Sequence, residues 1–295
     1  MIRSGHLLLA CLMVATFADH AFAQRRINER RAVVPAGFIR IAVPEGTVRV
    51  IGWEHDSLAV TGAAAAGFTV EITRQGAKVG HWTENEARPG ASQVTVYLPL
   101  RSQVWVKTAG AGINVASVTG TLDLFSVSGV ITVRGAPREI YAETMGGAIN
   151  LTDVKASVAR VKTASGTIRV GGDVADLTAV SVSGDINSAS AFGRARFESV
   201  EGAIRHAGPI RDAAVVDMIN HTGSITLTLP PKTSADFAFN LYDADLTDEF
   251  GIKKRWMMSN KFKGKEMTFG IGDRPTARVT IRSFRGAVHI LKSTI

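Results

Sequence analysis

The side chains best suited to hold a ligand are Asn150, Arg169, Asn187 and Arg205, set 18 or 19 residues apart along the middle of the chain. An amide offers paired donor and acceptor groups, and a guanidinium offers a planar fork of donors. A line of them is matched to the hydroxyls of a glycan or to the charges of an anionic polymer. Thr132 and Thr226 stand at the same repeat position and bracket the line. The same residues equally suit a solvated outer face that keeps apolar groups off the surface. A second candidate is Lys253-Lys254-Arg255-Trp256, followed by Met257-Met258. Aromatic and Met side chains beside basic ones fit a protein-binding or headgroup-contacting surface. They also fit a plug over one end of the fold, with the lysines solvated.

Other chemistries find little support. A polysaccharide-cleaving site needs paired carboxylates, or a calcium-binding carboxylate cluster with a basic partner. Asp123, Asp173, Asp185 and Asp217 occupy different repeat positions, and Gly171-Gly-Asp173 is a single imperfect echo of a calcium-binding nonapeptide. No Gly-x-Ser-x-Gly elbow is present. The histidines His55, His81, His206, His221 and His289 form no pair of metal-ligand spacing, and His206 and His221 read as tolerated, partly exposed coil residues. The sequence therefore predicts no enzyme, no cofactor and no metal. A net charge of +8 permits weak attachment to anionic polymers or lipid headgroups. No basic run interleaved with aromatic residues suggests nucleic acid.

What must position these residues is a repeat. Gly129, Gly147, Gly166, Gly184, Gly202 and Gly223 recur every 18 to 21 residues, each with a short apolar-alternating segment on either side. Two and four residues after the glycine come Ile131/Val133, Ile149/Leu151, Ile168/Val170 and their equivalents; seven and five before it come Leu122/Leu124, Ile140/Ala142 and Ala159/Val161. Period two places each pair on one face of a strand. Glycine at the corner allows either a positive φ or a close backbone approach. Three residues ahead of it stand Ser126, Thr144, Thr163, Ser181, Ser199 and Asn220, short polar groups able to bond the backbone at a bend. The expected fold is all-β: a single-chain parallel β-solenoid (β-helix) with irregular β caps, because an open strand stack templates aggregation.

The expected organisation has four parts. Residues 1–23 read as a signal peptide, with Arg3, an apolar run from Leu7 to Phe17 and an Ala21-Phe22-Ala23 cleavage site. Its removal would take away Cys11, the only cysteine, and with it any disulfide or thiol chemistry. Residues 24–105 form a β-rich lead-in, in which Arg25, Arg26, Arg30 and Arg31 make a frayed, solvated start. Residues 106–230 carry the repeats. Residues 231–295 form a C-terminal cap with an irregular insertion in the same domain. No stretch after residue 23 is long and apolar enough to span a bilayer as a helix.

Three segments carry a resemblance. Gly46-Thr-Val-Arg-Val-Ile-Gly-Trp-Glu-His-Asp-Ser-Leu-Ala-Val-Thr-Gly62 and Leu98-Pro-Leu-Arg-Ser-Gln-Val-Trp-Val-Lys-Thr-Ala-Gly110 resemble the N-terminal signature and the Pro-led start of the repeats in a bacterial putative-adhesin family, formally a domain of unknown function. Ser-x-Ser-Gly-x-Ile, at Ser126–Ile131 and Ser181–Ile186, is similar to its coil motif. The resemblance spans about 38–292, with 232–275 departing from the family's Gly-rich close. It implies a β-solenoid in a cell-envelope setting, periplasmic or at the surface. The expected function is an exported, non-enzymatic, adhesin-like protein that binds through its solenoid surface, to an envelope glycan, an anionic polymer or an envelope protein. Alternatives are an accessory or signalling protein docking another protein, and a degenerate polysaccharide-acting enzyme.

Overall fold

The computed structural model describes residues 24–82, 89–253, 255–258 and 264–294. The signal-peptide reading with Cys11, and Lys254, Lys261 and Lys263, lie outside these residues. The described chain is built from 24 strands with no helix, and most strand pairs are parallel, in register from coil to coil. The fold is a parallel β-solenoid.

Each coil has a first-face strand, a corner and a second-face strand. Thr121–Ser126 turns through Gly129 into Ile131–Gly135, and Glu139–Thr144 through Gly147 into Ile149–Thr163. Equivalent positions pair directly: Leu122 with Ile140, Ile131 with Ile149, Ile168 with Ile186. Alternation sends the apolar set inward, where Leu122, Ile131, Ile149, Ile168, Leu177 and Ile186 are fully buried. Each such side chain contributes about 1.5–3 kcal/mol of burial. In the central coils the strands run on for 14 or 15 residues, and Val154–Ala156, Gly172–Val174 and Ser190–Phe192 pair as a short third side.

Close approach, not φ, explains the glycine column. Among its members none has a positive φ. A Cβ at Gly166 would collide with the carbonyl oxygen of Gly147, and one at Gly184 with that of Gly166. The polar column beside it bonds the corner as its spacing suggests. Ser126, Thr144 and Thr163 accept from the N–H groups of Gly129, Gly147 and Gly166 at 2.8, 3.0 and 2.9 Å. Asn220 donates to the Gly202 carbonyl at 2.7 Å.

The stack extends beyond the readable repeats, and its ends are out of sequence order. Phe38–Ala42 pairs with Gln103–Thr108 on one side and Gly76–Gly80 on the other. Gly76–Gly80 and Ser92–Pro99 are therefore the outermost parallel strands at that end, with residues 38–53 inside them. At the far end Ala277–Ser283 lies between Val215–Asn220 and Ala235–Leu241. The coil of residues 235–248 is thus outermost, and residues 277–292 are slotted beneath it. Antiparallel strands finish both ends: Thr69–Ile72 and Ser57–Ala64 at one, Lys265–Ile271 at the other.

The arginines at residues 25–31 correct one expectation. Arg25–Ala32 is not frayed but an edge strand, paired antiparallel with Ser57–Ala64 over eight positions. Arg30 lies 4.9 Å over the Trp53 ring, which stacks on Tyr97 at 5.3 Å. A charged edge strand blocks further strand addition while the cation–π contact anchors it.

The corner geometry predicts that Gly166→Ala loses about 3 kcal/mol or more, since backbone stands where the methyl must go. Arg169→Ala, on the outer face one strand away, stays within about 0.5 kcal/mol of wild type. Urea denaturation of both variants measures the contrast, and equal losses would contradict the register.

Candidate functional site

The line of Asn150, Arg169, Asn187 and Arg205 occupies four consecutive rungs of the second face, each residue paired with the next. It is also longer than the sequence suggests. Arg205 pairs with Thr226, Thr226 with His289 and His289 with Thr247. In the other direction the rungs are Thr132, Asn114, Arg49 and Thr95. Eleven polar rungs thus run unbroken along the rod, from Thr95 to Thr247. At about 4.8 Å per rung the ladder is about 48 Å long.

Arg49 escaped the sequence reading because its coil stacks out of chain order, whereas Asn114 lies one coil before Thr132 in ordinary order. A signal was nevertheless there: Ile113-Asn114-Val115 repeats the pattern of Ile149-Asn150-Leu151.

Beside the ladder the outer surface dips. Gly171 pairs with Ala189, and Ala207 with Thr228, so small side chains line the next column. The resulting groove, of about 550 Å³, is lined by Arg169, Asn187, Arg205 and Thr226, with Asp153 also at its wall. Its two guanidiniums differ. Arg205 is committed to Asp185 at 2.6 Å. That hydrogen bond, opposed by desolvation and helped by the Ala203 N–H, holds the Asp185 carboxyl below its ordinary range. Arg169 and Arg49 make no ion pair among the described residues.

His206, in the same groove lining, corrects the expectation of a partly exposed residue: it is 1% exposed. It fills a largely apolar inward column, paired with Ser188 and Leu227, and packs 5.0 Å from Phe192. Neither ring nitrogen has a hydrogen bond of normal geometry. Burial drives its pKa down to about 4, only partly offset by the nearby backbone of Gly208 and Ser188. His221, by contrast, is exposed and stacks on Phe284 at 4.6 Å.

The second sequence candidate divides. Trp256 is half-buried and packs against the core. Lys253 and Arg255 are exposed, and Met257 and Met258, at 65% and 74% exposure, cover nothing. The groove beside the ladder takes in none of Lys253, Arg255, Trp256, Met257 and Met258. Among the described residues, no three His, Cys, Asp or Glu side chains converge as metal ligands, and no helix is long and apolar enough to cross a membrane.

These features define a capped parallel β-solenoid whose outer faces carry side-chain ladders. The chain belongs to the Toastrack DUF4097 family, whose model matches residues 59–290. In fold it is similar to a "putative adhesin" from Parabacteroides distasonis, 12% identical, covering 92% of this chain and 98% of that one with a TM-score of 0.56. A "putative adhesin" from Bacteroides fragilis matches over 92% of this chain and 99% of its own, at 11% identity and a TM-score of 0.48. The comparison with curated proteins gives no match.

A buried neutral histidine makes stability depend on pH. Above about 6.5 both folded and unfolded chains hold His206 neutral, and its contribution is flat. Between about 6.5 and 4 the unfolded chain takes up a proton that the folded chain refuses. Folding therefore loses about 3 kcal/mol across that window. His206→Leu, matching Leu227 beside it, removes this loss. The variant's melting temperature should exceed wild type by more at pH 4.5 than at pH 7.5, and a pH-independent difference would refute the assignment.

Proposed function

We propose that this chain is an exported, non-enzymatic, adhesin-like envelope protein that binds an extended anionic polymer along its second-face ladder. The observation that carries the reading is the unbroken register of polar rungs from Thr95 to Thr247. A straight array at a fixed interval of about 4.8 Å suits a ligand that itself repeats, and suits a compact substrate poorly. Arg49 and Arg169 supply uncommitted positive charge, and the Asn and Thr rungs supply hydrogen bonds between them. Export is supported by the signal-like residues 1–23. The adhesin-like character is supported by the family and by the description of the Parabacteroides distasonis relative.

A second reading, an accessory protein docking another envelope protein, draws on Met257 and Met258. Exposed methionines flanked by Lys253 and Arg255 suit an adaptable protein contact. If it holds, cross-linking in cells captures one dominant protein, and Met257→Ser with Met258→Ser abolishes that product.

The ladder reading is tested with dextran sulfate as a model polyanion. Retention of the wild-type protein falls as salt rises from about 0.05 to 0.3 M, because screening weakens exposed charge contacts. Replacing Arg49, Arg169 and Arg205 with Gln lowers affinity about tenfold, at about 0.5 kcal/mol per contact, with little change in melting temperature. Undiminished retention would reject the ladder as the site.

A further inference from the structure

A large concavity lies away from the ladder, on the first face near the C-terminal end of the stack. It is an open groove of about 940 Å³. One wall is a column of outward first-face residues, Glu198, Ile219, Arg282, Asn240 and Glu266, each paired with the next. The other is the corner column of Val200, His221, Phe284 and Tyr242. His221 and Phe284 stack at 4.6 Å and 3°, and Phe284 and Tyr242 at 4.5 Å and 11°. These rings come from three stacked coils and cover one another's faces, which leaves the outer face of Tyr242, at the end of the column, to pack on a ligand. Tyr242, the last of them, is 41% exposed.

We propose that this groove is a second binding site, for a neutral oligosaccharide of pyranose rings. A pyranose has an apolar C–H face and a rim of hydroxyls that both donate and accept. It needs an apolar wall on one side and planar polar groups on the other. The ring column supplies the first; Asn240, Arg282, Glu198 and Glu266 supply the second. Arg282 reaches Asp217 only at 4.0 Å, so its donors stay largely available.

Charge and topology argue against other occupants. Glu198 is tied to Arg196 at 2.8 Å, and the lining holds a single arginine, Arg282, so the groove lacks the run of guanidiniums that the ladder offers a polyanion. A peptide adding as a strand needs an open sheet edge. The first-face strands under the groove are already paired on both sides: Arg194–Ser199 (the end of Ile186–Ser199), Val215–Asn220, Ala277–Ser283 and Ala235–Leu241.

The test uses saturation-transfer NMR with cellotetraose and the N-acetylglucosamine tetramer, both neutral. We expect saturable binding of at least one with a Kd of about 0.1–1 mM, unchanged when salt rises. Asn240→Ala and Tyr242→Ala should each weaken it at least tenfold, and Tyr242→Phe should retain most of it. Asn240→Ala keeps the test valid if loss of the Tyr242 ring unsettles the corner. The Arg49, Arg169 and Arg205 substitutions should leave it intact, which separates this site from the ladder. No saturable binding of either sugar up to about 10 mM would overturn the proposal. Binding that survives both Asn240→Ala and Tyr242→Ala would overturn it equally, as would occupancy of the groove by a protein partner instead of a sugar.

Discussion

Everything in this structure depends on one contact repeated at the corners from Gly129 to Gly286: a carbonyl oxygen of one coil resting where the next coil would carry a Cβ. Gly147 sits against Gly129, Gly166 against Gly147, Gly184 against Gly166. Only a residue without a side chain lets two coils close to strand-pairing distance at the bend. The hydroxyls of Ser126, Thr144 and Thr163 then bond the corner amides that the tight turn leaves without a strand partner. With corner and spacing fixed, every other column falls into line, inside and out. The ladders are therefore by-products of backbone packing, and their side chains can vary without disturbing the core.

That separation explains where the polar exceptions sit. Outside, Arg169 and Asn187 carry no structural burden evident in the contacts around them. Inside, Ser188 and His206 interrupt an apolar column, and the aromatic pair Phe192 and Phe197 closes around the imidazole. The same sheet thus has an outer surface tolerant of substitution and an inner one that registers a single misplaced proton.

Much of the fold was legible because the repeat writes itself in glycine, in alternating Ile and Val, and in the Ser/Thr column. Those signals are local, and each coil restates them. What failed were features that depend on which coil lies next to which. Arg49 joins the ladder because residues 38–53 stack on residues 103–116, although residues 76–99 intervene in the chain. Tyr242, Phe284 and His221 meet for the same reason, and no spacing in sequence could align them. The arginines of residues 25–31 looked solvated because a charged run usually is. Pairing with Ser57–Ala64 instead makes them the guard of an edge. His206 was misjudged because its type was weighed above its period-two position, which pointed inward.

The interchanged order of the end coils bears on how the rod comes apart and how it evolves. In an ordinary repeat protein the outermost unit is also the end of the chain, so it can peel away alone. Here the outermost parallel strands, Gly76–Gly80 with Ser92–Pro99 and Ala235–Leu241 with Leu246–Asp248, are interior in sequence, and on either side of them the chain returns, by way of the antiparallel caps, to segments lying deeper in the stack. Peeling one off leaves a closed loop rather than a free tail, so the released coil gains less entropy than a loose end would. Ala277–Ser283 and Val288–Lys292, late in the chain, must enter between coils already synthesised. Growth of the rod by repeat duplication is correspondingly confined to its middle, between two ends that the chain has buttoned shut.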